Sequence, residues 1–180
     1  MKTISTFLLI SFFIFYLFLK LGVFLDITTN PRKVDLLVNL GGGDYKSRIR
    51  KTIEIYKKGY IATNTIIFSG KVEFKEVDKD NILIVKRNLI NTYEEISFVI
   101  DYMKKNKLKS ATFVSEAPHS KRIILLTNLI KNDNLEFNVV ASDFKEWDSL
   151  EYYKNSISIK YAFVELIKII NNLFIYIIID

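Results

Sequence analysis

From Phe7 to Leu25 the chain reads FLLISFFIFYLFLKLGVFL, apolar almost throughout and with Lys20 as its only charge. A helix of roughly 20 apolar residues spans a bilayer, so this stretch predicts one N-terminal transmembrane helix. A cleavable signal peptide is the rival reading. The run exceeds the usual signal core of about 7–15 residues, and no A-x-A-like site follows it. Asp26 to Lys33, with Thr28, Thr29, Asn30 and Pro31, reads as a linker.

Beyond Lys33 short apolar runs alternate with amphipathic stretches. Val34–Leu40 predicts a strand, and Ser47–Lys58 predicts a helix with Ile49, Ile53 and Tyr56 at helical spacing and Gly59 as its stop. Asn64–Phe68 predicts a second strand ending at Ser69-Gly70, and the charged stretch Lys71–Asp80 a surface excursion. A third strand at Asn81–Val85 precedes a helix over Asn91–Lys105, whose Ile96, Val99, Ile100 and Met103 share one face. Strand Ala111–Val114, helix Ser120–Ile130, strand Leu135–Val140 and an apolar helix from Ile157 follow. The apolar end of that helix, Leu173–Ile179, reads as a packed last helix or, left exposed, as a segment dipping into the membrane surface, and Asn171, Asn172, Glu165 and Lys168 argue against a second span.

Strands alternating with helices predict a mainly parallel sheet with helices on both faces, three layers α/β/α. The division is an anchor over 1–25, a linker over 26–33 and a domain over 34–180. In such sheets ligands bind beyond the carboxyl ends of the strands. The residues with chemical potential gather there.

Gly41, Gly42 and Gly43 end the first strand just before a helix. Glycines let the backbone approach a ligand, and the first helical turn offers unpaired N–H groups, so the loop suits a phosphate-like anion. It lacks the Lys-Ser/Thr of a P-loop and the full GxGxxG spacing. Arg48 follows closely and can reach such an anion or lie on a solvated face. Ser69-Gly70 ends the second strand as a ligand turn or a plain turn, and without a G-x-S-x-G elbow it predicts no serine hydrolase. Asn91 and Thr92 cap a helix, with Glu94 or Glu95 in its first turn; the functional alternative puts Thr92 and Glu94 in the cleft. His119, the only histidine, stands just past Pro118 at a helix start, with Arg122 one turn on. The pair can bind phosphate, with His119 as acid or base, or simply cap and cover the helix. Glu165 either pairs with Lys168 or points into the site.

Composition narrows the chemistry. Hydrophobic residues are 49% of the 180, charged residues 26%, and the mean hydropathy is +0.16. That excess for a charged chain sits in the N-terminal run. The length suits one domain. Absence of cysteine excludes disulfides and thiolate chemistry, and a single histidine argues against a zinc site of the usual ligands. Magnesium held by a carboxylate and a substrate phosphate is compatible. The net charge of +6 favours anionic partners such as a lipid surface, or reflects a lysine-rich solvated surface. With no basic stripe interleaved with aromatics, nucleic acid is not expected. Lys20, Arg32 and Lys33 after the anchor against Lys2 before it slightly favour a cytoplasmic domain.

Taken together the chain resembles the YdcF/SanA/ElyC family of bacterial envelope proteins over roughly Lys33 to Ile178. The family's D-hydrophobic-L-G-G-G opening is matched by Asp35 to Gly43, and its arginine helix by Arg48 through Tyr56 and Gly59. The I-I-x-S-G strand end is matched by Ile66 to Gly70, N-T-x-E-N by Asn91 to Glu95, H-x-x-R by His119 and Arg122, and the final-helix glutamate by Glu165. Two positions depart: Lys71 replaces a second glycine, and Glu95 replaces the closing asparagine. The resemblance implies a Rossmann-like domain with a single-pass anchor in the bacterial cytoplasmic membrane, the domain on the extracytoplasmic side. It also implies a role with peptidoglycan precursors or the polyprenyl-phosphate carrier, and S-adenosylmethionine as a ligand of some members. Three readings follow. One is an enzyme acting on polyprenyl phosphate or pyrophosphate. There Gly41–Gly43, Arg122 and Arg48 hold phosphate, His119 is acid/base or nucleophile, and Glu94 or Glu165 orients it or binds a metal. The second is a non-catalytic module for a nucleotide, S-adenosylmethionine or a lipid headgroup. The third is an anchored scaffold.

Overall fold

The computed structural model describes residues 2–69, 82–85, 89, 91–130 and 134–179; Gly70, Asn81 and the charged excursion Lys71–Asp80 lie outside them. Val34–Asn39 (β1), Ile61–Ser69 (β2), Ile82–Val85 (β3), Ser110–Ser115 (β4) and Glu136–Ala141 (β5) form one sheet in the order β3-β2-β1-β4-β5, each neighbouring pair parallel. Helices α1 (Lys2–Leu25), α2 (Tyr45–Lys57), α3 (Thr92–Lys105), α4 (Ser120–Ile130) and α5 (Ser156–Ile179) complete the described elements, with single 3₁₀ turns at Ala117–His119 and Tyr152–Lys154.

The central strand explains the layering. Side chains alternate across a strand, so Leu36 and Val38, with Leu40 just beyond the strand, join one buried cluster and Leu37 the other. The first cluster takes Ile96, Val99, Ile100 and Met103 of α3 with Ile123 and Leu126 of α4. The second takes Ile55 of α2 with Ile66, Phe68, Val114 and Val140. Burial on both faces is why the strand reads as a nearly continuous apolar run. From β1 the chain winds outward through β2 and β3, then returns to the other side of β1 as β4, so the order reverses between β1 and β4.

Local chemistry sets the boundaries. α2 begins two residues before the predicted Ser47 because Asp44 caps it, accepting from Ser47 N at 3.3 Å, and Gly59 at φ +74° follows its end. β2 begins at Ile61 rather than Asn64 because Ile61 pairs with Val34. Asp35 accepts from Lys109 N at 2.8 Å and from Ser110 N at 3.0 Å. It thus fastens the start of β4 to β1, at the end of the sheet away from the glycines.

Ile4–Leu25 has a mean hydropathy of 2.4 and is 11% buried, long and apolar enough to cross a membrane. Its final turns are not free. Leu25 is fully buried, and Phe18 and Leu21 pack with Tyr152, Ala162 and Ile169. Several groups within residues 26–33 also bond to the domain. Ile27 N donates to Ser120 Oγ at 2.8 Å, Thr29 N to Val139 O at 2.8 Å, and Trp147 Nε1 to Asp26 Oδ2 at 3.1 Å. The seam exists because Asp26 and Thr29 find partners that a linker sequence does not announce.

Candidate functional site

A cleft of about 550 Å³ opens at the carboxyl ends of β1, β2 and β4, covered along one side by α5. Gly41, Gly42 and Gly43 form its floor beside β1. Gly42 (φ +80°) and Gly43 (φ +55°) occupy the left-handed region that favours glycine. A Cβ on Gly41 would stand 2.9 Å from Ser69 O, and one on Gly43 would collide with the Glu116 carboxylate and Arg48 guanidinium. The loop therefore passes closer to its neighbours than any side chain allows.

Two of the loop's amides already have acceptors. Gly41 N donates to Glu95 Oε1 at 3.1 Å and Asp44 N to Glu116 Oε1 at 2.7 Å. The N–H groups of Gly42 and Gly43 have no acceptor among the described residues.

Arg48 is 2% exposed and turned inward. Its Nη1 donates to Leu40 O at 2.9 Å and Gly41 O at 2.7 Å, and its Nη2 donates to Glu116 Oε2. Burial pulls the guanidinium down to about 10, which still leaves it charged at neutral pH. Arg48 thus clamps the glycine loop to Glu116 instead of offering a free fork to an anion. Glu95 accepts from Gly41 N and Ser69 Oγ. Burial raises its carboxyl above the usual range, against the lowering effect of those two donors and of Arg48 and Arg122.

Arg122 is 6% exposed. Its Nε and Nη2 fork onto Glu165 at 2.8 and 3.2 Å, and its Nη1 donates to Thr92 Oγ1 at 2.5 Å. Lys168 reaches the same carboxylate at 2.9 Å. Glu165 therefore pairs with Lys168 and lines the cleft at once, and it ties α5 to α4.

His119 is 6% exposed in the 3₁₀ turn that carries β4 into α4, and Ser115 Oγ lies 2.8 Å from its Nδ1. Its Nε2 is buried without a partner. Burial first, then Arg122, Arg48 and Lys168, holds the imidazole well below its ordinary pKa, so it is neutral at neutral pH. A neutral imidazole donates from one nitrogen and accepts at the other. With Nδ1 fixed by Ser115, Nε2 is the ring nitrogen left without a partner.

The cleft brings together Gly41, Gly42, Gly43, Arg48, Ser69, Asn91, Thr92, His119, Arg122 and Glu165 of the expected residues. Glu94 is not among its lining residues: Asn91 Nδ2 donates to it at 3.3 Å at the mouth of α3. Its neighbour Glu95 turns inward instead. Glu95 lies one turn before Val99, on the buried stripe that was itself readable. Glu116, directly after β4, was also missed, and its position at a strand end was the available signal. Among the described residues no group of three or more His, Cys, Asp or Glu is placed to hold a metal ion. The cleft carboxylates Glu95, Glu116 and Glu165 each have internal donors. The chain matches no protein-family model and no curated protein.

Proposed function

We propose that this is a membrane-anchored protein of Rossmann-like, three-layer build in the YdcF/SanA/ElyC mould, whose cleft binds a phosphate-bearing ligand. The observation that carries the reading is the buried, unpartnered Nε2 of His119 in a cleft floored by the open amides of Gly42 and Gly43. Phosphate oxygens supply acceptors for the two amides, and for Nε2–H in the tautomer whose Nδ1 accepts from Ser115; an unmet buried polar atom is costly enough to imply a partner. Arg48 and Arg122 contribute positive potential and hold the loop and α5 in place. Among the described residues lining the cleft, Lys168, about half exposed at the rim, is the cation freest to turn onto a phosphate.

In the catalytic form His119 transfers a proton at Nε2, and the ligand is a polyprenyl phosphate or pyrophosphate hydrolysed to free phosphate. The whole chain, in detergent, is assayed for phosphate release with and without magnesium beside His119→Ala. Release abolished by the substitution supports a phosphatase; equal release from both proteins overturns the role of His119. One observation favours a second reading, binding without turnover: the group on His119 Nδ1 is a serine hydroxyl, while Glu165 is committed to Arg122. Saturable binding of the same lipids without phosphate release decides for it. A bacterial cytoplasmic membrane setting with the domain outside belongs to the same proposal, and reporter fusions at the C-terminus test the side.

A further inference from the structure

Along α5, Phe163, Ile167, Ile170 and Phe174 recur at intervals of four, three and four residues and are 44%, 65%, 47% and 61% exposed. That spacing places them on one face, with Val164 at its edge. The other side of the helix buries Ala162, Glu165, Ile169 and Asn172 against the domain and the cleft. An uncharged stripe of large apolar side chains on a folded domain marks a contact surface.

Its position beside α1 identifies the contact. The Phe163 ring stacks on Phe18, centroids 6.3 Å apart at an interplanar angle of 29°. Phe18 lies seven residues before Leu25, which at 1.5 Å per residue is about 10 Å along α1 from its domain end. From Phe7 to Leu17 the large apolar side chains of α1 are 48% exposed or more. The first residue of the α5 stripe therefore adjoins the apolar band of α1. At this level the exposed Lys20 stands 6.0 Å from the Tyr16 ring. A lysine and a tyrosine near the end of a span occupy the headgroup region. The level that Lys20 and Tyr16 mark is the level at which Phe163 sits.

We infer that α5 lies in the headgroup layer of the bilayer that α1 crosses, its apolar stripe turned into the acyl boundary. The inference rests on reading α1 as a membrane anchor. Val164 on the stripe is followed at helical spacing by Lys168 and Asn171 on the cleft rim. Lipid contact and cleft mouth are neighbouring flanks of one helix. The cleft then draws its ligand from the membrane plane, as the headgroup of a lipid whose chain stays in the bilayer, rather than from solution.

The test uses the whole chain, which has no native cysteine. Ile167→Cys, Phe174→Cys, Phe13→Cys on α1 and Lys105→Cys on α3 are each labelled with a bimane probe. Each protein is reconstituted into phosphatidylcholine–phosphatidylglycerol vesicles containing brominated acyl chains. Bromolipid quenching at 167 and 174 comparable to that at 13, with none at 105, supports the inference. Quenching at 13 alone overturns it, and disulfide cross-linking of the unlabelled Ile167→Cys protein, without quenching of its labelled form, assigns the stripe to a second copy and also overturns it. Absence of quenching at 13 removes the anchor reading and the inference with it. None of these readouts depends on phosphate binding or release, so they stand apart from the test of the cleft.

Discussion

Ser115 Oγ holds His119 Nδ1 at 2.8 Å, from the last residue of β4 to the turn that follows it, and leaves Nε2 as the buried, unpaired nitrogen of the ring. The folded protein holds this imidazole neutral, whereas in the unfolded chain it titrates near 6.5. The unfolded state therefore binds the extra proton first, and stability falls as pH drops below about 6.5 toward the lower folded value, by at most about 1.4 kcal/mol per pH unit. Thermal unfolding from pH 8 to 5 should show this decline. His119→Gln should flatten it and, on the proposed function, abolish phosphate binding measured by calorimetry.

Glu95 has the opposite sign. Its folded carboxyl titrates above 4.5, so its ionisation opposes folding as pH rises through that raised value. Glu95→Gln keeps an acceptor for Gly41 N and Ser69 Oγ and removes the buried charge. Its melting temperature should exceed the parent's at pH 7.5, and the difference should vanish below pH 4.5, where both side chains are neutral.

Arg122 and Glu165 are a buried forked pair. Removing one partner of such a pair costs about 3–5 kcal/mol, while replacing both with apolar residues is often neutral. Arg122→Met should lose stability of that order by urea unfolding, and Arg122→Met with Glu165→Leu should recover most of it. Failure of the double variant to recover would mean that Lys168 and Thr92 depend on the pair more than their contacts imply.

Gly42 and Gly43 separate conformation from space. Both have positive φ, but a Cβ on Gly42 meets nothing within 4 Å. Gly42→Ala should cost about 1–2 kcal/mol from the left-handed backbone alone. Gly43→Ala carries the same strain and also drives into Glu116 and Arg48, so it should unfold at lower urea and bind phosphate less tightly than Gly42→Ala.

The strands and helices were readable because apolar period and capping chemistry agree along most of the chain: Asn91 announces α3 and Gly59 closes α2. The gathering of glycines, His119 and Arg122 at strand ends followed from parallel winding. What periodicity could not show is which side of a helix end a charge takes. Glu94 and Glu95 are adjacent and alike in type, yet a rotation of about 100° per residue leaves one beside Asn91 at the helix start and sends the other beneath the glycine loop. Nor does an isolated arginine show whether it serves a ligand or a carboxylate remote in sequence, as Arg48 does Glu116 across 68 positions. The docking of residues 26–33 was hidden for the same reason: Thr29 meets Val139 only after the sheet has formed.

Buried Leu25, the packing of Phe18 and Leu21, and the bond from Thr29 N to Val139 O fasten the end of the apolar helix to the domain. A helix that tilts to match the thickness of its bilayer would then tilt the whole sheet with it. With that helix in a bilayer, as proposed, lipid composition would set the angle and height of the cleft mouth.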